Sequence, residues 1–363
     1  MIESSTVSNR TPALALTLLV LSVVLVALGA CIGSAGFENL LSDLVGTATG
    51  SPERAMAEQI VLNIRLPRTM GAWAAGALLG LAGALAQGLF RNPLADPYLL
   101  GSATGAALAV ALALALMGGG AGMVGGSEVK SAAISVMSAN WVVRLGLTGA
   151  AFCGAILGVL LTLVLARGVQ HTLRLLLAGV VVGVVLGAAT SLVLVFSPDS
   201  LLTMQAFLLG STGYVGWAAC LVMLAVLPIC TAAGWALSRA LDGLSLGEAT
   251  AESLGLPLAR MRAALIGILA LATGTAVAQT GLIAFVGLAA PHLVRSVVRV
   301  THGNLMLLAS LTGGVLLSSA DLLARWLIAP QELPVGVLTA VLGGGYLLWL
   351  MRRGSNPLTG RLA

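Results

Sequence analysis

"RLPRTMGAWAAGALLGLAGALAQGLFRNPLADP", residues 65–97, decides what kind of protein this is. From Thr69 to Phe90 it carries no charged residue, and arginines stand at both ends. A run of about 20 apolar residues crosses a bilayer as a helix, because in lipid only helices and closed barrels satisfy every backbone group. A barrel strand would alternate apolar and polar residues, and this run does not. Similar runs recur from residue 13 to the C-terminus. The 363-residue chain is 58% hydrophobic and 9% charged, whereas about a quarter of residues are charged in a soluble domain. The composition predicts an all-α polytopic membrane protein without a soluble domain.

Ten spans are expected, at 13–32, 67–89, 99–117, 144–166, 174–196, 214–238, 261–280, 283–299, 305–328 and 335–351. The eighth is short and ends on Arg295 and Arg299. An even number puts both termini on one side of the membrane. Basic residues are retained preferentially on the cytoplasmic side. With the N-terminus inside, 12 basic residues fall inside and 6 outside. Both termini and residues 239–262 are therefore expected to face the cytoplasm. No basic patch is interleaved with aromatics, so nucleic acid is not an expected partner.

Several motifs lead nowhere. Cys31, Cys153, Cys220 and Cys230 show no C-x-x-C spacing and read as small hydrophobes in helix packing. Leu28-Gly29-Ala30-Cys31 resembles a lipoprotein cleavage site, but the run before it is long for a signal peptide, and a retained first helix is expected. The polar-leaning segments 33–66 and 118–143 read as outer loops, the second of them flexible and rich in Gly and Ser. Gly120, Gly122 and Gly125 match G-x-G-x-x-G, but no strand precedes them. The single lysine, Lys130, follows Val129, whereas a phosphate-wrapping loop needs Gly there. ATP binding by this chain in that manner is therefore excluded. His171, His292 and His302 have no metal-ligand spacing. No nucleophile–base set argues for catalysis.

Four features stand out against this background. "GEATAESLGLPLAR" (247–260) is polar and lies between apolar runs. Ser245 and Glu248 have capping-box spacing, while Gly255 followed by Pro257 is a helix stop. A short helix over 246–254 is expected, about 13 Å long at ~1.5 Å per residue. It reads either as a connector or as a helix that docks into a partner's groove. Arg65 and Arg68 in "RLPR" lie one turn apart, either to read carboxylates or to meet lipid headgroups. Asp321 and Arg325, at i and i+4, predict an ion pair within the membrane. Gly179, Gly183 and Gly187 line one face of the fifth span, as close helix contact or as a smooth channel wall. A fainter signal is the echo between "ALAQGLFRNPLADP" (84–97) and "AVAQTGLIAFVGLAAP" (276–291), which suits an inverted repeat.

Residues 65–108 closely resemble the FecCD-type permease family, the membrane subunits of ABC importers for iron–siderophore complexes, haem and vitamin B12. Further similar stretches are "RLLLAG" (174–179), "LGEATAESLGLPL" (246–258), "GLIAFVGLAAPHLVR" (281–295), "SSADLLARW" (318–326) and "ELPVGVLTAVLGGGYLLWL" (332–350). The resemblance covers nearly all of the chain beyond the first span. It implies a type II ABC importer permease fold of ten helices, with residues 1–363 forming one transmembrane domain. It also implies a homodimer served by two cytoplasmic ATPase subunits and a periplasmic binding protein. No cofactor is expected on this chain, since ATP and Mg belong to the ATPase.

The resemblance also assigns residues to roles. It implies that 246–254 is the helix that couples to the ATPase, through Gly247, Glu248, Ala251, Glu252, Leu254 and Gly255. Arg65, Arg68 and Arg325 match positions that dock the binding protein. Asn92, Leu94, His171 and Thr172 match the inner gate, although a small hydroxyl residue would be expected at 171. Gly179, Gly183 and Gly187 would then face the pathway. The implied cargo is an iron chelate or haem, with vitamin B12 as the alternative. An ion-coupled secondary transporter is the rival from a different class.

Overall fold

The computed structural model describes residues 3–33, 36–37, 52–119, 141–169, 172–253 and 255–354. Within them, helix α1 spans Glu3–Cys31 and leads to a minimal antiparallel pairing of β1 (Ile32–Gly33) with β2 (Gly36–Phe37). Helix α2 (Pro52–Ile60) runs through a π-helical turn, Val61–Arg65, into α3 (Leu66–Phe90). Then come α4 (Ser102–Gly119), α5 (Trp141–Leu165), α6 (Thr172–Phe196), α7 (Leu201–Leu209) and α8 (Trp217–Ala236). The short α9 (Ser238–Ser245) and α10 (Glu248–Ser253) precede α11 (Leu258–Thr280), α12 (Val286–Val297), α13 (His302–Trp326) and α14 (Val335–Gly354).

All ten expected spans are helical in whole or in part. Among the described residues, seven helices are long and apolar enough to cross a membrane: α1, α2 continued into α3, α5, α6, α8, α11 and α13. Ser102–Met117 and Val335–Trp349 are shorter apolar helices. The second span starts earlier than expected. Residues 52–66, read from sequence as part of a loop, are helical because Ala57 and Val61 bury one face while Arg54 and Glu58 pair on the other.

The eighth span departs from expectation. Its helix, α12, has 12 residues, about 18 Å at ~1.5 Å per residue and too short for a hydrocarbon core of roughly 30 Å. The chain ahead of it breaks at Gly281 (φ 70°) and Phe285 (φ 69°). Irregular backbone survives at membrane depth only when protein satisfies it. Here the Leu282 N–H donates to the Phe207 carbonyl at 3.0 Å, and the Tyr98 hydroxyl donates to the Ile283 carbonyl at 3.2 Å.

Helix α3 is the axis of the bundle, enclosed by α13, α11, α8 and α12. Its Gly- and Ala-rich sequence is the reason. A Cβ on Gly76 would lie 2.2 Å from the Gly313 carbonyl oxygen, and one on Gly83 would lie 1.7 Å from that of Gly287. Such backbone-to-backbone contact maximises packing where lipid offers no hydrophobic drive between helices. The two echoed stretches also meet. Both helices end on a residue with positive φ, Arg91 (49°) after α3 and Gly281 (70°) after α11. The loop from Arg91 then reaches Ile283 through Tyr98.

Candidate functional site

The charged residues gather at opposite ends of the bundle. At the Arg68 end, α3 and α13 bring Arg68, Asp321 and Arg325 together. Arg68 donates to Asp321 Oδ1 from Nε (3.2 Å) and Nη2 (3.1 Å), and to Glu332 Oε1 from Nη1 (2.8 Å). Thr212 Oγ1 donates to Asp321 Oδ1 at 2.5 Å, while Arg325 Nη2 holds Asp321 Oδ2. Arg325 also donates to Thr69 Oγ1 at 3.1 Å and to the Gly29 and Ile32 carbonyls, each at 3.3 Å. The expected Asp321–Arg325 pair is thus present within a larger network. Its carboxylate is fully buried, and several charge-assisted bonds satisfy it.

Arg65 belongs to the same end but faces α1. Its Nη1 donates to the Cys31 carbonyl at 2.9 Å and the Ala30 carbonyl at 3.4 Å. The last carbonyls of a helix lack partners within it, and Arg65 supplies them. Docking through exposed guanidinia at Arg65 and Arg325 does not match this geometry, since they are 6% and 1% exposed. Within this network, the Arg68–Glu332 pair reaches the surface edge, with side chains 12% and 30% exposed.

At the other end, α10 is shorter than the 246–254 expected. Gly247 (φ 105°) breaks the chain between α9 and α10, and Gly255 (φ 77°) closes α10. The capping box does not form. Ser245 Oγ donates to the Asp242 carbonyl at 2.6 Å, inside α9, and Glu248 turns to arginines. Glu248 Oε1 lies 2.6 Å from Arg262 Nη2 and 3.5 Å from Arg91 Nη2. The physical reason is burial. The nearly enclosed Arg262 guanidinium needs a counter-charge more than one solvated N–H needs a cap. Ala251 is buried and Glu252 exposed. Leu254 lies outside the described residues.

The loop from Arg91 and the chain entering α6 lie at this same end, linked to Glu248 through Arg91 and to Arg262 through Val169. Asn92 Oδ1 accepts the Leu94 N–H at 2.9 Å, an Asx turn that leaves Leu94 54% exposed. Asp96 accepts the Tyr98 N–H at 2.8 Å; burial pushes its carboxyl pKa up, and that hydrogen bond pulls it down. Thr172 opens α6, whereas His171 lies outside the described residues. The three glycines divide. A Cβ on Gly179 would sit 2.0 Å from the Leu99 carbonyl oxygen, which is packing, but Gly183 and Gly187 have nothing within 4 Å.

Two links escaped the sequence reading. Gln87 in α3 donates to the Leu288 carbonyl at 3.1 Å and accepts from Arg295, pinning α12. Asp242 in α9 holds His302 at the start of α13. Both join residues far apart in sequence, so spacing gave no cue; a lone Gln in an apolar run was the one available sign. Among the described residues, no group of three or more His, Cys, Asp or Glu side chains could hold a metal ion.

A bundle with, among the described residues, seven helices long and apolar enough to cross a membrane is a multi-pass membrane protein. The chain belongs to the FecCD transport family, which it matches over residues 17–353, and is a permease of ABC importers. It is 38% identical over 304 residues to the hemin transport system permease protein HmuU of Yersinia pestis, covering 83% of this chain and 85% of that one. It is 36% identical over 312 residues to the vitamin B12 import system permease protein BtuC of Salmonella typhimurium, covering 85% and 88%. Its fold is similar to a solved inward-facing metal-chelate type ABC transporter, with TM-score 0.75 and 26% identity, covering 94% of this chain and 99% of that one.

Proposed function

We propose that this chain is the permease of an ATP-driven importer carrying a bulky iron chelate, a siderophore complex or haem, from periplasm to cytoplasm by alternating access. Two copies form the pathway. Two separate ATPase subunits, which hold ATP and Mg, grip the cytoplasmic face at α10. A periplasmic binding protein docks at the opposite end, with Arg68 at the contact edge and Arg65 and Arg325 behind it. Asn92, Leu94, His171 and Thr172 form the inner gate. The chain lies in the bacterial inner membrane with both termini in the cytoplasm, the orientation favoured by 12 basic residues against 6.

The observation that carries this reading is the open face of α6. No charge lies between Arg174 and Asp199, and a Cβ built on Gly183 or Gly187 would meet no atom of the described residues within 4 Å. A large cargo slides past such a wall without being held, and selection passes to the binding protein. An ion-coupled transporter needs ionisable groups at mid-membrane on several helices. Here Arg68, Asp321 and Arg325 are engaged with one another at one end. Cobalamin is a second reading, favoured by the 36% identity to a vitamin B12 permease.

The test is reconstitution with the ATPase and binding protein in liposomes. Uptake of haemin, a radio-iron siderophore and cobalamin is measured with and without enclosed ATP. ATP-dependent accumulation of an iron chelate supports the reading, and accumulation of cobalamin alone selects the second. Gradient-driven accumulation without any ATPase overturns both.

A further inference from the structure

The short helix α10 sits between two glycines with positive φ, Gly247 (105°) and Gly255 (77°). Glycine takes such a φ without the Cβ penalty, so the chain turns sharply at both ends of the helix. A six-residue helix set between two turns has few contacts of its own, so its side-chain links to the bundle bear on what moves with it. Ala251 contributes a buried methyl group. Glu248 contributes a carboxylate whose Oε1 meets Arg262 Nη2 at 2.6 Å and Arg91 Nη2 at 3.5 Å. Arg91 immediately precedes Asn92, in the loop between α3 and α4. Arg262 passes the connection on, since its Nη1 donates to the Val169 carbonyl at 3.4 Å, in the loop that enters α6.

We propose that Glu248 is a positioning residue that ties α10 to both stretches of chain leading to the gate, through Arg91 to residues 91–94 and through Arg262 to Val169. Its task is internal: it makes the surface helix, residues 91–94 and Val169 move as one piece. The two arms differ in strength. The Arg262 side chain is 5% exposed and forms a short charge-assisted bond, so it is the stiff arm. Arg91 is 43% exposed and its contact is long, so water screens it. The inference rests on the importer reading and adds the path from motor to gate.

The experiment uses the whole transporter in liposomes, with its ATPase and binding protein. Its probe is haemin or a ferric siderophore, whichever the unmodified transporter carries. Uptake per ATP hydrolysed is compared for Glu248→Gln, Arg262→Gln, Arg91→Gln, Glu248→Asp and the charge swap Glu248→Arg with Arg262→Glu. A nitroxide on Leu94→Cys reports the distance across the dimer with ATP and with ADP.

Glu248→Gln and Arg262→Gln should each lower uptake per ATP on the order of tenfold, within the span of site-to-site couplings. The Leu94 distance should stop following the nucleotide. Arg91→Gln should do less, Glu248→Asp should retain most of the coupling, and the swap should restore part of it. Unmodified coupling and unmodified distances in Glu248→Gln would overturn the inference alone. If Glu248→Gln does not assemble, equal coupling in Arg262→Gln and in the swap would overturn it equally well. Absence of ATP-driven uptake by the unmodified transporter would instead overturn the importer reading.

Discussion

Asp242 Oδ1 lies 2.7 Å from His302 Nδ1 and accepts the backbone N–H of the same residue at 3.0 Å. His302 is the first residue of α13, and the residue before it, Thr301, makes no side-chain cap. A carboxylate borrowed from α9 therefore serves as the missing cap, where free N–H groups and the helix dipole favour negative charge. The same contact fastens α9, which leads into α10, to a helix that runs the length of the bundle to Asp321 and Arg325.

Asp242→Ala should lower the thermal unfolding midpoint of the purified protein, reflecting about 1–2 kcal/mol for a lost cap with charge. Asp242→Asn keeps an oxygen acceptor for the N–H and should lose less. Tryptophan fluorescence during heating distinguishes them, and identical midpoints for the two variants would show that capping is not what the carboxylate supplies.

Asp321→Asn should be far more damaging. It leaves Arg325 buried without a carboxylate and Arg68 with Glu332 alone. Removing one partner of a buried pair costs roughly 3–5 kcal/mol, because the other charge stays uncompensated. The double change Asp321→Leu with Arg325→Met removes both charges and should recover much of that loss. The check is the yield of monodisperse protein after size exclusion, together with its melting midpoint. A double variant worse than the single one would contradict the account.

The legible part of this fold was whatever repeats along one helix. Apolar run length located the spans, and Gly255 with Pro257 marked the end of α10. The i, i+4 spacing of Asp321 and Arg325 gave their pair. What hid was three-dimensional. Arg68 belongs to the Asp321 network because α3 and α13 touch through glycines, and a sequence does not state which helices touch. Glu248 looked like a local cap, but a buried arginine from α11 attracted it more strongly than its own helix N-terminus. Residues 281–282 read correctly as a connection, but 283–285 read as the start of a span because they are apolar, whereas the helix begins at Val286. The donors that tolerate this break, such as Tyr98, come from elsewhere in the chain.

Glu332→Gln tests docking at the Arg68 edge. Glu332 engages Arg68 at 2.8 Å and so competes with any acidic partner for the same guanidinium. Neutralising it should tighten binding of an acidic docking lobe severalfold at low salt, and the gain should shrink as salt screens the contact. Surface plasmon resonance against the binding protein at two ionic strengths measures both effects. Weaker or unchanged binding would mean that docking does not use Arg68.

The last prediction separates the three glycines of α6. Gly179→Ala pushes a methyl to within 2.0 Å of the Leu99 carbonyl oxygen, and overpacking of this kind typically costs about 1–3 kcal/mol. Its melting midpoint should fall. A Cβ on Gly183 meets no atom of the described residues within 4 Å, and replacing a mid-helix Gly, as in Gly183→Leu, favours the helix by roughly 0.8–1 kcal/mol. Its midpoint should hold or rise while uptake in liposomes drops, because the added side chain narrows the pathway. The opposite pattern, a lower midpoint with uptake retained, would make the open face of α6 a packing surface between subunits and remove it from the pathway.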